Sequence, residues 1–358
     1  MTIEPPEGET EQLGERVLET VRAETSAWGI GLAGPLEPIS GGFWARTYGL
    51  ALRDAPAPFD RRLILRVMPD EDLARREIAI QGAVAEQGFP CPMVRLADAT
   101  SASLGAPFMI MDRVDGRPLL SDLSFGRALP MLPTLLTKMP ALFARTLAQL
   151  HELDPEPACR ALTDAHVLDE ADGAEPIVAG LRGSDTNGRT AGFGDAVRWL
   201  DTHEPRRRRR VICHGDFHPL NLLTVGLELK GVIDWTGGRI ADPAYDVGFT
   251  SVLLAQAPLD VPRPVRPAVA ALGRWLARRF KAEYRTRAAV DEGAVRWYEV
   301  LQALRMLDEV ARWRLRGVVT DSSHPFETMA SGLVRHVAAI TGVTIALPAT
   351  VSIDLGTS

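Results

Sequence analysis

Three polar side chains in the middle of the chain have residue types and spacing suited to phosphoryl transfer. Asp216 and Asn221 lie five positions apart, and Asp234 follows after a short, mostly apolar stretch. One carboxylate can orient a hydroxyl nucleophile, while an amide oxygen and a second carboxylate can hold magnesium on the phosphates of a nucleotide. A merely polar turn would leave both the spacing and the second aspartate unexplained, so we interpret the three residues as one site.

The flanking runs predict how these residues are positioned. A short apolar strand should deliver Asp216, and a hairpin that turns at Gly226 should fold Asp234 back beside Asn221. The runs predicted as strands are Val211–Cys213, Leu222–Val225 and Leu229–Ile233. Magnesium prefers oxygen ligands and keeps waters and phosphates as its other partners, so an amide and carboxylates suit it better than they suit zinc.

Two motifs give the chain a resemblance to a known family. The first, H-G-D-x-x-x-x-N, is met by His214, Gly215, Asp216 and Asn221. The second, [IV]-D-W followed by D-P-x-x-D, is met by Asp234, Trp235, Asp242, Pro243 and Asp246. The chain resembles the aminoglycoside phosphotransferase and choline kinase-like enzymes, which are small-molecule kinases. The resemblance implies Asp216 as the catalytic base, Asn221 and Asp234 as ligands of Mg²⁺, and ATP or GTP as the phosphoryl donor.

The resemblance also implies the fold class, which is α+β. It is a protein-kinase-like two-lobe fold, with a small β-rich N-terminal lobe and a larger, mostly helical C-terminal lobe. We place the nucleotide-binding lobe at residues 1–113, with an N-terminal helical extension over 1–30, and the catalytic and acceptor-binding lobe at 114–358. A chain of 358 residues is longer than those that usually pack around a single hydrophobic core, so its length suits two lobes. Amphipathic runs at Arg263–Arg287 and Gly293–Arg316 predict long helices in the second lobe.

The first lobe contains candidate phosphate contacts. Gly41 and Gly42 form a turn whose backbone N–H groups can lie over phosphates, although two glycines between strands are more often simply a turn. The predicted strand Leu63–Val67 follows. In kinases this strand carries a lysine that contacts the phosphates and pairs with a helix glutamate. Here the residue is Arg66, whose planar guanidinium can also bind phosphate but is not equivalent to an ammonium.

The resemblance singles out three further residues of the nucleotide lobe. Glu77, in the amphipathic run Leu73–Gln87, is the expected partner of Arg66, although charges on a helix are usually solvated. Met111 and Arg113 end a buried apolar run, and their backbone groups would face the edge of the adenine. A core strand that simply enters a loop explains these two residues equally well.

Four residues are expected to support the site. Asp242 can cap the helix predicted to begin at Pro243. Asp246 can brace the catalytic loop through its backbone or through His214. For His218 two interpretations stay open, because a neutral imidazole can contact the γ-phosphate or only fill space.

Composition and charge limit the partners. The formal net charge of −6 gives no basic surface for nucleic acid, and three cysteines are too few and scattered for a disulfide framework or a zinc site. The N-terminus lacks the apolar core of a signal peptide, and the run Val337–Val351 is too short and interrupted to span a membrane. We therefore expect a cytoplasmic monomer or homodimer that binds a nucleoside triphosphate and a small-molecule alcohol, but neither nucleic acid nor membrane.

Two other classes of protein stay open. A kinase-like nucleotide-binding protein that has lost catalysis is supported only by the replacement of lysine by Arg66. A metallohydrolase would leave the position of Asn221 unexplained. Its metal ligands would be His214, Asp216, His218 and Asp234.

The sequence does not identify the acceptor. Aminoglycosides, macrolides, choline-like amines, sugars and other alcohols all suit the same catalytic residues, and the choice between ATP and GTP depends on backbone geometry. Residues 172–195 are rich in Gly, Asp and Thr and show no sustained periodicity. This segment fits a mobile lid and a loose surface excursion equally well.

Overall fold

The chain divides into two compact units, each built from stretches that are separate in sequence. The computed structural model describes residues 7–39, 45–119, 125–167, 174–184, 186–205, 209–258, 263–317 and 324–349. The first unit comprises Met1–Asp122, Leu153–Leu168 and Pro219–Arg239, and the second comprises Leu123–Glu152, Asp169–His218 and Ile240–Ser358. The chain therefore passes from the second unit to the first between His218 and Pro219, within the predicted catalytic motif.

The first unit is built on an antiparallel sheet with the strand order β1-β3-β4-β6-β5, and β2 pairs with β3. Its strands are β1 (Gly31–Leu32), β2 (Glu37–Pro38), β3 (Arg46–Arg53), β4 (Arg62–Val67), β5 (Val94–Asp98) and β6 (Phe108–Asp112). Its helices are α1 (Glu7–Thr25), α2 (Glu71–Glu86) and α4 (Glu156–Asp164). The strands predicted at Leu63–Val67 and at the end of the nucleotide lobe are confirmed.

Strand β4 separates two apolar clusters, because side chains alternate between the two faces of a strand. Leu63, Leu65 and Val67 pack with residues of α1 on one face. Ile64 packs with Met109 and Met111 of β6 and with α2 on the other. Arg66 has the same parity as Ile64, so its side chain is directed towards the α2 face.

Helix α2 presents a buried face to this sheet. It begins after Asp70, whose side chain accepts a hydrogen bond from the Leu73 N–H and so satisfies one of the free donors at the helix start. Ala74, Glu77 and Gln81 are buried at helical spacing along one face. Glu77 is only 1% exposed, so it is not a solvated helix charge.

A second, three-stranded sheet of the first unit contains the predicted hairpin. Its order is β10-β9-β7, formed by β7 (Arg117–Pro118), β9 (Leu222–Val225) and β10 (Glu228–Val232). Gly226 has a positive φ of 63°, as the tight turn requires. Leu222 pairs with Val232, and the Ile233 N–H donates to the Asn221 carbonyl over 3.0 Å. The hairpin prediction is confirmed, because this register places Asn221 and Asp234 at adjoining strand ends.

The second unit is mostly helical. Its helices are α3 (Phe125–His151), α5 (Glu175–Arg182), α6 (Phe193–Thr202), α7 (Ala244–Ala255), α8 (Arg266–Arg285), α9 (Glu292–Leu315) and α10 (Pro325–Thr341). A short pair of strands, β8 (Val211–Cys213) and β11 (Arg239–Ala241), completes it. The long helices predicted from the amphipathic runs are confirmed as α8 and α9. In the ranges that the structure describes, no helix combines the length and apolar character needed to cross a membrane.

Part of the segment 172–195 is regular, although its sequence shows no periodicity. Helix α5 is eight residues long, too short to give a sustained pattern. After it, the hydroxyls of Ser184 and Thr186 both donate to Asp308 Oδ1 on α9. Asp308 is buried and also forms an ion pair with Arg312 at 2.9 Å. These contacts attach the described part of the segment to α9, so a loose surface excursion does not describe it.

Candidate active site

The loop that carries Asp216 begins directly after the buried strand β8. Gly215 has a φ of +79°, a backbone conformation that favours glycine and that turns the chain sharply after His214. The Asp216 N–H then donates to Nδ1 of the buried His214 ring over 3.2 Å. The ring therefore fixes the backbone of the residue whose carboxylate is the candidate base.

Asp246 holds this loop through its backbone. Its Oδ2 accepts the His214 N–H over 2.7 Å, and its Oδ1 accepts the Gly215 N–H over 2.8 Å. One turn further along α7, the Thr250 hydroxyl donates to the Phe217 carbonyl over 2.9 Å. Sequence reasoning missed Thr250, although its position four residues after Asp246 places both on one helix face.

Behind Asp246 lies a buried polar group that could be mistaken for a metal centre. His151, Cys213 and Asp246 each offer a ligand atom, and these atoms lie within 4.8 Å of one another. His151 Nε2 lies 3.2 Å from Asp246 Oδ2, and its Nδ1 lies 2.7 Å from the Tyr284 hydroxyl. Cys213 Sγ donates to the Asp242 carbonyl, so every member already has a protein partner. We interpret the group as structural.

Asp242 stabilises the start of α7 and the approach to β8. Its Oδ1 accepts the Ala244 N–H over 2.9 Å, and its Oδ2 accepts the Arg209 N–H over 2.9 Å. The helix begins one residue later than expected, at Ala244. The predicted cap is therefore present, since the carboxylate satisfies a free donor of the first turn.

Asp216 and His218 form a pair on the loop. His218 Nε2 lies 3.4 Å from Asp216 Oδ2, and the Asp216 side chain is 40% exposed. Desolvation raises the pKa of Asp216, but the hydrogen bond and charge of His218, with smaller effects of His214 and Arg305, outweigh it and lower the pKa. Asp216 is consequently ionised at neutral pH and is accessible to a reactant.

Asn221 and Asp234 occupy adjoining positions at the base of the hairpin. Asn221 ends a short 3-10 turn and is 6% exposed. Asp234 has a φ of +65°, which is uncommon for a residue with a side chain and costs on the order of 1 kcal/mol or more. Such conformations persist where surrounding contacts fix them and are frequent at functional sites.

Arg66 supplies those contacts to Asp234. Its Nη2 donates to Asp234 Oδ1 over 2.8 Å, and its Nε lies 3.0 Å from Glu77 Oε1 in an ion pair. Burial disfavours the charged guanidinium, but the two carboxylates outweigh this effect and raise the pKa of Arg66. The pairing predicted between Arg66 and a helix glutamate is present.

Thr236 completes the cluster, and sequence reasoning did not find it. Its Oγ1 lies 3.0 Å from Glu77 Oε2, 2.8 Å from Asp234 Oδ1 and 3.0 Å from Arg66 Nη2, which donates to it. A hydroxyl has one proton, so it can satisfy both carboxylates only when one of them carries a proton of its own. Burial raises the pKa of Glu77 to about 7 despite the opposing charge of Arg66, so Glu77 is the carboxyl that takes up this proton as the pH falls below neutral.

The structure describes two of the four remaining residues predicted to bind the nucleotide. Met111 is buried in β6, opposite Ile64 of β4. The Arg113 N–H donates to the Arg62 carbonyl over 3.0 Å, so this donor is already used and only the carbonyl of Arg113 can still face an adenine. Gly41 and Gly42 lie outside the described residues.

The geometry does not favour the hydrolase alternative. Within the described part of the second unit, His214, Asp216 and His218 do not form a group of three potential ligands. His214 Nδ1 instead accepts the Asp216 N–H.

Comparison with known proteins agrees with the motifs. A sequence model of the phosphotransferase enzyme family (APH) matches residues 35–290, well over half of the chain. Two curated relatives match about half of it. Acyl-CoA dehydrogenase family member 10 of Mus musculus is 26% identical over 53% of this chain and 18% of that protein. Acyl-CoA dehydrogenase family member 11 of Gallus gallus is 27% identical over 51% of this chain and 24% of that protein. The chain thus spans about a fifth of the length of these relatives.

Solved structures share the fold. A protein assigned as an aminoglycoside phosphotransferase from Ralstonia eutropha superimposes with a TM-score of 0.62, at 18% identity, over 92% of this chain and 98% of that one. A macrolide 2'-phosphotransferase of type I gives 0.55 at 18% identity, over 96% and 98%. A thermostable variant of APH(4)-Ia in complex with AMP-PNP and hygromycin B gives 0.56 at 18% identity, over 91% and 97%. The predicted kinase-like α+β fold is confirmed.

The Thr236 hydroxyl should contribute measurably to stability. We expect Thr236→Val, which preserves volume but removes the hydroxyl, to lower the free energy of unfolding by about 1–3 kcal/mol, because charged groups lose a hydrogen-bond partner. Thr236→Ser keeps the hydroxyl and should lose less than about 1 kcal/mol. Urea unfolding of the three proteins measures both differences. A loss for Thr236→Val no larger than the loss for Thr236→Ser would show that the hydroxyl contributes no more to stability than the methyl group does.

The raised pKa of Glu77 predicts a specific pH dependence. Folded Glu77 keeps its proton up to about pH 7, whereas the unfolded side chain releases it near pH 4.5. This contribution to stability is therefore complete below pH 4.5 and is lost as the pH rises to 7, by on the order of 3 kcal/mol. Between pH 4.5 and 7, the unfolding free energy of the wild type should therefore fall by that amount relative to the unfolding free energy of Glu77→Gln. A constant difference would place the proton elsewhere.

Proposed function

Because the chain belongs to the phosphotransferase enzyme family, we propose that it is an enzyme that transfers the γ-phosphoryl group of ATP or GTP to an alcohol group of a small molecule. In this proposal Asp216 is the catalytic base, and Asn221 and Asp234 hold Mg²⁺. Residues 1–113 bind the nucleotide, and residues 114–358 carry the catalytic loop and bind the acceptor.

The observation that carries the proposal is the position of Asn221 and Asp234 on the hairpin. The pairing of Leu222 with Val232 and the bond from Ile233 N–H to the Asn221 carbonyl set an amide and a carboxylate at adjoining strand ends. Asp216 precedes Asn221 by the interval that phosphoryl-transfer enzymes use for a base and a metal ligand.

Asp216 is suited to orienting the acceptor hydroxyl. Its lowered pKa makes it a weak base, so it accepts a hydrogen bond from the hydroxyl in the ground state and takes the proton late in the reaction. A loose phosphoryl-transfer transition state requires little nucleophile activation beforehand. His218, 3.4 Å from Oδ2, holds the carboxylate in position, which leaves catalysis mainly to placement.

The donor groups fit a magnesium ion. Asn221 and Asp234 supply hard oxygen atoms, and Arg66 occupies only Oδ1 of Asp234, at 2.8 Å. A bound Mg²⁺ would supply charge neutralisation on the transferred phosphates. Arg66, fixed in direction by Glu77 and Asp234, is the proposed phosphate contact, together with Gly41 and Gly42.

The related structures support a nucleotide donor. Two thermostable variants of APH(4)-Ia were solved with hygromycin B, one together with AMP-PNP and the other together with ADP. We propose ATP as the first donor to test, with GTP as the alternative. The acceptor is a small-molecule alcohol whose class the fold alone does not determine.

Removal of the Asp216 carboxylate should separate catalysis from binding. We expect Asp216→Asn to reduce kcat by several orders of magnitude, on the scale seen when a positioned catalytic group is lost. The Kd of Mg-nucleotide should change little, because Asp216 is not among the proposed nucleotide contacts. Coupled ADP-release assays and isothermal titration measure the two quantities. Wild-type turnover in this variant would remove Asp216 from the base role.

Asp234 should be required for magnesium-dependent nucleotide binding. Mg-ATP at a hundred times its Kd stabilises the folded protein by about 2.7 kcal/mol, enough to raise Tm by several degrees. We expect this shift to disappear without Mg²⁺ and in Asp234→Ala. Glu228→Gln, an exposed carboxylate on the same hairpin, should keep it. No shift with Mg-ATP or Mg-GTP in the wild type would contradict the proposed function, whereas a shift without phosphoryl transfer would favour an inactive binding protein.

A further inference from the structure

A half-buried arginine on α9 lies beside the helix that holds the catalytic loop. The Arg305 guanidinium lies 5.7 Å from the centre of the Phe249 ring, and its Nη1 donates to the Tyr245 hydroxyl over 3.2 Å. Tyr245 and Phe249 are one turn apart on α7. Asp246 and Thr250, the next residue after each of them, are the two that bind the loop at His214, Gly215 and Phe217.

The positive charge of Arg305 acts on Asp216. It is one of the charges that favour the ionised form of that carboxylate, after His218 and His214. Asp216 and Arg305 belong to the same compact unit, and α7 packs against α9. Arg305 therefore contacts the helix whose Asp246 and Thr250 hold the loop that carries Asp216.

Arg305 forms no ion pair with the described residues. The carboxylates one turn along α9, Asp308 and Glu309, both pair with Arg312. Further back on the helix, Glu299 pairs with Lys281 at 2.6 Å. A guanidinium has five N–H donors, and the tyrosine hydroxyl uses one of them. A half-buried cation with donors left over is a binding group for an anion, because partial burial strengthens charge–charge attraction.

Ionisation of Asp216 alone does not explain this arrangement. An aspartate is already ionised at neutral pH, and His218 lies 3.4 Å from this one. Packing alone does not explain it either, since an apolar side chain would cover Phe249 without the cost of partly burying a charge. Arg305 therefore has a function that requires both its positive charge and the fixed directions of its guanidinium N–H donors.

We propose that Arg305 binds an anionic group of the acceptor, a carboxylate or a phosphate, carried by the same molecule as the hydroxyl that is phosphorylated. Arg305 is then a specificity residue that selects acidic alcohols and disfavours cationic ones such as aminoglycosides, because like charges repel. The inference rests on the proposed role of Asp216.

Matched acceptor pairs test the inference. One arm compares glycerol 3-phosphate with glycerol, and the other compares short hydroxycarboxylates with their amides, all with Mg-ATP. ADP release gives kcat/KM, and ³¹P NMR identifies the product. We expect the wild type to favour the anionic member of one arm by roughly tenfold to a hundredfold, the effect of a charged hydrogen bond. The arm that shows the preference distinguishes phosphate from carboxylate.

Variants of α9 assign the preference to Arg305. Arg305→Gln should bring the ratio of kcat/KM values close to one, and Arg305→Lys should recover part of it, because a point charge lacks the planar fork. Arg296→Gln, an exposed arginine on the same helix, should keep the wild-type ratio. A general loss of structure would lower both members of a pair, so the ratio separates recognition from stability.

Several results would overturn the inference. They are equal use of both members by the wild type, a preference that survives in Arg305→Gln, and failure of every anionic compound to react or to raise Tm while Mg-ATP still raises it. If Mg-nucleotide does not raise Tm and no acceptor gives ADP, the proposed function is wrong, and this inference is wrong with it.

Discussion

The catalytic loop depends on one buried carboxylate. Asp246 accepts the N–H groups of two successive loop residues, His214 and Gly215, over 2.7 and 2.8 Å. A carboxylate that accepts such bonds in a dry interior compensates two donors that would otherwise be unsatisfied, and replacing it by an apolar group would leave both unpaired. The sharp turn at Gly215, the position of the His214 ring under Asp216 N–H, and the exposure of the Asp216 carboxylate all follow from this anchor. His151 and Tyr284 extend the same network into the helices behind it.

The first unit has a comparable centre, but it is organised around a cation. Arg66 lies between Glu77 and Asp234, and the Thr236 hydroxyl contacts all three. The single positive charge of Arg66 does not balance the two carboxylates of Glu77 and Asp234. A proton that binds Glu77 below about pH 7 removes the excess negative charge. This balance also explains how Asp234 is kept in its left-handed conformation: the guanidinium and the hydroxyl both hold Oδ1, so relaxation of the backbone would break two polar contacts.

The sequence predicted what depends on local pattern. The hairpin, β4, α2, α8 and α9 follow from alternation, helical spacing and a glycine turn, and the two motifs nominate Asp216, Asn221 and Asp234 as site residues. It did not predict Thr236 or Thr250. Thr236 lies two residues after Asp234 and Thr250 four residues after Asp246, and neither spacing is informative until the turn at Asp234 and the buried face of α7 are known. Helix α5 was missed for a different reason: its stability comes from packing and from the contacts of Ser184 and Thr186 with Asp308, which lies more than a hundred residues away in sequence.

The low proton affinity of Asp216 bears on how the site would select its acceptor alcohol. Because His218, His214 and Arg305 all favour the ionised form of Asp216, the carboxylate has little proton affinity, and in the proposed mechanism it acts by holding a hydroxyl in line. Any alcohol held in that position would react, so discrimination between alcohols has to come from groups that bind the rest of the molecule. In the proposal made above, Arg305 is the charged group that makes this discrimination, with Tyr245 and Phe249 fixing its direction. If Arg305 has the proposed role, a catalytic loop shared by phosphotransferases serves different acceptors through a charged residue outside both motifs.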